Sequence, residues 1–305
     1  MPQGKWKLEV NLLSLSLIRT FFINEFLWLY LPKISSVRTM SNSQHLSNIQ
    51  VIIDDAVRKF GQTRSITNRN TLPVNGRYPI VEWLKIPDVI CVYVDIRNST
   101  WLSAISHSNS TAWIYELFTE TAVRIFHEFE SSYIDIKGDG VFALFNAWEE
   151  HRALVAAVSF KTFASEVFQP LIKKKIPSLD LWFHMWIDQS WVLVKQIWLR
   201  DKSGRDSRKN EVWAWKPVNM AAKLASRSPD KQLWVSERFF WKLNSELVLK
   251  SCWCRGGEQG FEKVWVWKEE VVAEDDIFDF KKIFILNPVW CKTHGAQWCK
   301  NVLTL

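Results

Sequence analysis

Two short segments carry acidic residues whose type and position are suited to metal binding. Asp95 ends the apolar run VYVD, and Asp139 lies in the turn sequence IKGDG between two further apolar runs. Adjacent antiparallel strands would bring both carboxylates to one end of a sheet, beside the backbone carbonyl of Ile96. Mg²⁺ binds one or two carboxylates together with phosphate oxygens and water, and paired ions lower the charge on a reacting phosphate. The two segments therefore predict a site for two ions, Mg²⁺ or Mn²⁺, and phosphoryl chemistry.

Each aspartate taken alone has an ordinary explanation, because Asp commonly caps helices and occupies hairpin turns. The combination of a strand ending in Asp, a helix, and a second strand leading into a Gly-Asp turn is more specific. Directly after Asp95, the residues Arg97, Asn98, Ser99 and Thr100 read as a helix start. Free backbone N–H groups at such a start bind phosphate, so we predict that these four residues bind the substrate.

The elements that must position these residues follow from hydrophobic patterning. We expect strands at 89–94, 132–136, 141–145, 181–188 and 191–199, and helices at 112–129, 149–168 and 217–225, with more strands up to residue 267. This order predicts an α+β fold with a mainly antiparallel sheet flanked by helices. The charged run 200–210 is expected to be a solvated loop.

Four segments are predicted along the chain. Residues 1–40 are apolar without a helical or strand period and are interpreted as a spurious or upstream extension, with Met40 as an alternative start. Residues 41–88 are predicted to form a helix and a polar linker, and 89–270 the catalytic domain. The segment 271–305 lacks periodicity, so we expect an unpacked tail that is not native.

Composition excludes several classes of protein. The 305 residues are 48% hydrophobic with a net charge of +7, which is typical of a globular chain. Five cysteines are too few for a dense disulfide framework, so we expect a cytoplasmic protein. Charged and polar residues interrupt the apolar stretch 10–31, which argues against membrane insertion. Interleaved basic and aromatic strands are missing, so nucleic acid is not expected as a partner.

Three stretches, VYVDIRNSTWLS, IKGDGVFALF and VNMAAKL, resemble in order and separation the signature segments of class III adenylate and guanylate cyclases. The resemblance covers roughly residues 89–267. It implies a ferredoxin-like βαββαβ core and a homodimer with shared active sites.

The same resemblance implies roles for individual residues. Asp95 and Asp139 match the family's metal ligands, with Ile96 contributing its carbonyl. Asn219 matches the residue that orients the ribose. Lys223 stands where the family carries a catalytic arginine, and lysine keeps the positive charge but loses the bidentate fork.

The residues at the purine-reading positions differ from the family pattern. Adenylate cyclases have lysine and aspartate where this chain has Asp135 and Val212. The stretch NEVWAWKPVNMAAKLA also resembles the pyrimidine cyclases of bacterial Pycsar antiphage systems. That resemblance implies conversion of UTP or CTP to cyclic UMP or CMP and a separate effector activated by the product, without deciding between UTP and CTP. The alternatives are a purine cyclase and an inactive cyclase-like dimerisation module.

Tryptophan is unusually abundant, with 19 Trp beside 10 Gly. Trp186, Trp191, Trp198 and Trp215 stand where the resembling family has glycine, so we expect turns at these positions. One hypothesis is that the source organism reads UGA as glycine. The other is a divergent or inactive relative of the family whose extra indoles pack in the core.

Overall fold

The computed structural model describes residues 42–73, 78–100, 102, 107–179, 181–200, 206–214, 217, 219–220, 231–249, 265–268, 280–286, 289, 291 and 293–305. The chain divides into two compact units, Met1–Thr63 and Arg64–Leu305. In the first unit, helix α1 spans Asn42–Phe60 and leaves Ile49, Ile53 and Phe60 exposed. The proposed extension 1–40 lies outside the described residues.

The second unit contains a central sheet and its flanking helices. Its elements in chain order are β1 Ile66–Asn68, β2 Trp83–Arg97, α2 Ser108–Glu128, β3 Tyr133–Lys137, β4 Gly140–Asn146, α3 Glu150–Phe163, α4 Gln169–Lys175, β5 Trp182–Arg200, β6 Asp206–Ala214, β7 Leu233–Ser236, α5 Glu237–Phe240, α6 Glu246–Leu249, β8 Trp265–Lys268, β9 Ile283–Leu286 and α7 Gly295–Val302.

The strand order in the described sheet is β3-β4-β2-β5-β7-β9-β8, with β1 beside β2 and β6 beside β5. Central strand β2 runs antiparallel to both β4 and β5. Only the β1–β2 and β5–β7 pairings among the described strands are parallel. The predicted α+β fold with a mainly antiparallel sheet is confirmed.

The two faces of the sheet carry separate apolar clusters. On one face, the side chains of Val92, Val94 and Ile96 pack with the helices. Helix α2 buries Ile114, Phe118, Ala122 and Phe126, whose four-residue spacing places them on one stripe of the helix. On the opposite face lie Val89, Cys91 and Tyr93, because successive strand residues point to opposite sides.

Strand β5 corrects one sequence expectation. Two strands were predicted, at 181–188 and 191–199, but a single strand runs from Trp182 to Arg200. The irregularity lies instead in β2, where the pairing shifts between Ile86 and Val89. Pro87 lies in this stretch and has no N–H to donate to a ladder, which explains why the pairing breaks there.

The tryptophans of β5 do not lie in turns. Trp186, Trp191 and Trp198 are all strand residues, so the turn expectation is wrong for these three. The described non-glycine residues with positive φ are Asn98, Glu130 and Lys231. Trp186 is fully buried and stacks on Phe280 with ring centroids 5.8 Å apart. Trp215 lies outside the described residues.

The predicted helix at 149–168 forms and continues further. Helix α3 passes into a π-helical turn at Ala164–Phe168 and then into α4, which ends at Lys175. Pro170 lies at the start of α4. A proline removes a backbone donor and clashes with the carbonyl four residues earlier, and the wider π turn relieves that clash.

Parts of the predicted linker and tail pack into the sheet. Strand β1 pairs with β2 inside the expected linker. Strand β9, whose four residues are all buried, pairs with β7 and β8 inside the expected tail. Strand β6 starts at Asp206, so the charged segment 206–210 is paired strand and not a loop. None of these strands has the long run of periodic apolar residues by which a secondary-structure element is identified from sequence alone.

Candidate active site

The structure brings Asp95 and Asp139 together at one end of the sheet. Asp95 lies two residues before the end of β2, and Asp139 lies in the turn between β3 and β4. Val94 of β2 pairs with Val141 of β4, which places the turn beside Asp95. Gly138 makes this tight turn possible because its φ of 67° lies in the left-handed region.

The Asp95 carboxyl is held in an environment that opposes its charge. Burial, the charge of Asp139 and a hydrogen bond to the Asp139 carboxyl together raise the pKa of Asp95 to about 7. The Ile96 backbone N–H and the Tyr93 hydroxyl oppose that rise by hydrogen bonding to the carboxylate. Two adjacent carboxylates of this kind repel each other unless a proton or a cation lies between them.

The donor set fits a divalent cation. Oδ1 of Asp95 is buried and finds no hydrogen-bond partner among the described residues. A buried carboxylate oxygen without a donor is costly, and a hard cation is the ligand that carboxylate oxygens satisfy best. The side chain of Ile96 is anchored in the helix-side core, so the backbone next to Asp95 is firmly held.

The predicted phosphate-binding stretch forms a sharp bend. Arg97 ends β2 and pairs with Trp182, and Asn98 adopts a left-handed φ of 63°. Ser99 and Thr100 are helical, and the carbonyl of Asn98 accepts a hydrogen bond from the N–H of Leu102 at 3.0 Å. A helical turn therefore begins directly beside the carboxylate pair.

The two residues expected to act on ribose and phosphate are only partly described. Asn219 is helical and exposed, and its neighbour Met220 is buried in the sheet face that carries Tyr93. Lys223 lies outside the described residues. The structure therefore describes Asn219 on an anchored, solvent-facing segment.

The positions that read purines in adenylate cyclases have a different chemistry here. Asp135 is paired with Lys137, whose ammonium lies 2.6 Å from a carboxylate oxygen of Asp135. Val212 of β6 is 39% exposed. Its neighbour Trp213 packs on Tyr133 with ring centroids 4.7 Å apart. An aromatic contact between β3 and β6 thus lies close to Asp135.

Sequence reasoning missed Tyr93. It therefore also missed why residue 140 is a glycine, since the Tyr93 phenol occupies the space that a side chain there would need. Burial, and then the charges of Asp95 and Asp139, raise the pKa of Tyr93, so the hydroxyl keeps its proton. A tyrosine two residues before a strand aspartate shares its face of the sheet, and this spacing is the signal that could have found it.

No helix in the described part of the chain is long and apolar enough to cross a membrane. Across the same residues, no group of three or more His, Cys, Asp or Glu side chains is arranged to hold a metal ion.

Similar solved structures support the assignment of the fold. The adenylyl cyclase CyaB from P. aeruginosa matches with a TM-score of 0.52 at 14% identity, covering 67% of this chain and 95% of that structure. A bacterial light-regulated adenylyl cyclase also gives a TM-score of 0.52, at 12% identity over 96% of this chain and 86% of its own. The fold is that of a class III nucleotide cyclase domain.

Sequence relatives show to which family of class III nucleotide cyclases the chain belongs. A uridylate cyclase from Propioniciclava tarda is 34% identical over 224 residues, 72% of this chain and 70% of the relative. A uridylate cyclase from Micromonospora echinofusca is 31% identical over 241 residues, 77% of this chain and 74% of the relative. No family model matches the sequence. The chain belongs to the uridylate cyclase family.

Proposed function

We propose that this protein converts UTP to 3′,5′-cyclic UMP and pyrophosphate. The ribose 3′-oxygen attacks the α-phosphorus, the bond from the α-phosphorus to the oxygen that bridges to the β-phosphate breaks, pyrophosphate departs, and the 3′-hydroxyl proton passes to water. The observation that carries the proposal is the Asp95–Asp139 pair, in which Oδ1 of Asp95 is buried without a hydrogen-bond donor among the described residues. The names of the two uridylate cyclase relatives favour UTP over CTP.

Asp95 and Asp139 would hold the divalent cations, Mg²⁺ or Mn²⁺, with the carbonyl of Ile96. When bound, such ions stabilise negative charge on the attacking 3′-oxygen and on the triphosphate. Hydrogen bonding by the Ile96 N–H and the Tyr93 hydroxyl lowers the pKa of Asp95 and so favours the charged carboxylate that a cation needs. Arg97, Asn98, Ser99 and Thr100 follow in a bend whose N–H groups can bind the triphosphate.

The pyrimidine preference is supported by the chemistry around Asp135. Position 135 holds an aspartate where adenylate cyclases have a lysine, so it offers no lysine donor to a purine edge. The carboxylate is also engaged by Lys137 and by the N–H of Ile136. A site that lacks the complementary donors and acceptors loses discrimination by orders of magnitude.

A second copy of the chain completes the site in this proposal. Asn219 is helical and exposed, so it is available to the ribose of a UTP bound by the partner, and Lys223 follows four residues later in sequence. Homodimers with closed symmetry would then contain two equivalent shared sites.

The direct test is incubation of the purified chain with ATP, GTP, CTP or UTP and Mn²⁺, with products identified by mass spectrometry. We expect cyclic UMP, and its loss in Asp95→Asn and Asp139→Asn. Glu120→Gln, an exposed carboxyl on α2, is the matched control and should retain activity. Formation of only a purine product, or of no cyclic product by a folded dimer, would overturn the proposal.

The resemblance to antiphage pyrimidine cyclases supports a role in defence signalling through a separate effector. Cells expressing the wild-type chain should accumulate cyclic UMP after phage infection, whereas cells expressing Asp139→Asn should not. Equal cyclic UMP before and after infection would contradict this role.

A further inference from the structure

Tyr93 lies at the centre of the face that carries the carboxylate pair. It precedes Asp95 by two residues on β2 and is 9% exposed. Its backbone pairs with Phe142 of β4 on one side and Trp186 of β5 on the other. Side chains two apart on a strand point the same way, so the ring of Tyr93 and the carboxylate of Asp95 share one face.

The phenol extends over the end of the turn that carries Asp139. A Cβ atom added to Gly140 would lie 2.3 Å from the Tyr93 hydroxyl oxygen and 2.9 Å from Cζ of the ring. The space that any side chain would need at position 140 is therefore occupied by this phenol. Gly138 differs, because a Cβ there would meet open space and glycine is needed for its positive φ.

The hydroxyl also lies on the side of the sheet that carries the carboxylates. Its oxygen occupies the space next to Gly140, the residue after Asp139, and the ring shares one face of β2 with the Asp95 carboxylate. Phenylalanine would fill nearly the same volume but would donate no hydrogen bond, so packing alone gives no reason for a tyrosine at this position.

We propose that Tyr93 is a positioning residue for the metal site. Its hydroxyl orients the Asp95 carboxylate, and its ring, seated in the space left by Gly140, fixes the turn that presents Asp139. The inference rests on the proposed function, because it takes the two aspartates as the cation ligands. Outer hydrogen-bond partners of metal ligands typically contribute about 10–100-fold in metal affinity or activity.

The test is Mn²⁺ titration of the nucleotide-free protein, followed by the free-ion signal in electron paramagnetic resonance. We expect Tyr93→Phe to bind Mn²⁺ about 10-fold more weakly, within the range known for such partners. Its thermal unfolding midpoint without metal should change little. Tyr115→Phe, on helix α2, removes a hydroxyl away from the site and is the matched control.

The second variant is Gly140→Ala, whose methyl group must displace the phenol. We expect a similar loss of Mn²⁺ affinity in this variant. In the double variant with Tyr93→Phe, the fold-loss of Mn²⁺ affinity should be smaller than the product of the two single fold-losses. Such coupling is the signature of two residues that act through one contact.

Steady-state kinetics provide a second readout. In Tyr93→Phe, the Mn²⁺ concentration that gives half-maximal rate should rise by a larger factor than KM for UTP. Unchanged Mn²⁺ affinity and unchanged metal dependence in Tyr93→Phe, alongside an active wild type, would overturn this inference alone. Absence of Mn²⁺ binding by the folded wild-type dimer would overturn both this inference and the proposed function.

Discussion

Asp139 lies close enough to Asp95 to hydrogen-bond to it, and together with burial it raises the pKa of Asp95 to about 7. The ordinary pKa of this carboxyl is 3.8. In the metal-free protein, the folded state therefore keeps a proton on Asp95 over a pH range in which the unfolded chain has lost it.

This difference predicts that Asp95→Asn stabilises the metal-free protein at neutral and higher pH. As pH rises from about 4 to 7, the unfolded state releases the proton and becomes favoured, and above pH 7 the penalty is constant. Removing the carboxyl should raise the free energy of unfolding by about 1–3 kcal/mol at pH 8, and by little at pH 4. Urea unfolding at both pH values, with Glu120→Gln as control, measures it. If Asp95→Asn is no more stable than the wild type at pH 8, the raised pKa of Asp95 is contradicted.

A buried ion pair anchors the middle of β5. Asp188 is fully buried and accepts a hydrogen bond from Nε of Arg238 on α5 at 2.7 Å. Arg238→Met should lower the free energy of unfolding by about 3–5 kcal/mol, because it leaves the Asp188 charge buried and unpaired. Arg124→Met, which breaks an exposed pair with Glu120, should cost less than about 1 kcal/mol.

The double variant Asp188→Asn with Arg238→Met separates charge from packing. It removes the buried charge along with its partner, so it should recover much of the stability lost in Arg238→Met. Thermal unfolding of the wild type, of Arg238→Met and of the double variant measures how much stability is recovered. A double variant no more stable than Arg238→Met would show that packing of the guanidinium, and not charge compensation, is what matters.

Base preference should respond to position 135. Asp135→Lys restores the residue type found at this position in adenylate cyclases, so we expect the ATP-to-UTP ratio of kcat/KM to rise about 10-fold or more. Lys137→Met, which removes the ion pair of Asp135 without adding a purine donor, is the matched control and should leave the ratio unchanged. Competition between ATP and UTP in one reaction, with both cyclic products quantified, measures the ratio. An unchanged ratio in Asp135→Lys would show that this position does not face the base.

The shared site predicts complementation between two inactive chains. Mixing equal amounts of Asp95→Asn and Asn219→Ala should restore about a quarter of the wild-type rate, because half of the dimers are mixed and each of these has one intact site. The cyclic UMP formation rate after co-refolding measures it, with each variant alone as the baseline. No recovery in a mixture that demonstrably contains mixed dimers would place Asn219 in its own chain's site.

The residues that sequence alone located well are those defined by local patterns. Asp95 follows an apolar strand and Asp139 lies in a Gly-containing turn, and both signals are contained within a few residues. The proximity of the two carboxylates is predictable because neighbouring antiparallel strands bring the end of one strand beside the turn of the next. The helix at 112–129 was equally clear, because its apolar residues recur at a helical spacing.

The features that were missed depend on distant parts of the chain. The role of Gly140 depends on a phenol from β2 that reaches the turn, and no local pattern reports a contact across 47 residues of sequence, from 93 to 140. The sequence predicts an interruption of the strand at Gln189, but Gln189 is held in register by pairing with Ile90, and its side-chain amide donates to Asp88 at 3.2 Å. Tertiary pairing overrides weak local propensity at such positions.

The last prediction concerns Trp186, one of the positions where the resembling family has glycine. Its indole is fully buried, stacks on Phe280 and pairs in register with Tyr93 and Trp234. Because Trp186 lies in a strand and not in a turn, its backbone does not require glycine, and replacing the indole by glycine removes packing. Trp186→Gly should therefore lower the free energy of unfolding by about 3–5 kcal/mol.

Trp148→Gly, at an exposed position, is the matched control and should change stability much less. Because Tyr93 neighbours Trp186, the cavity left by Trp186→Gly should also weaken Mn²⁺ binding at Asp95, which Trp148→Gly should not do. Thermal unfolding and Mn²⁺ titration of the two variants decide between the two explanations of the tryptophan excess. A Trp186→Gly protein that is at least as stable as the chain with tryptophan, and binds Mn²⁺ at least as tightly, would contradict the packing argument. That outcome would favour UGA being read as glycine in the source organism.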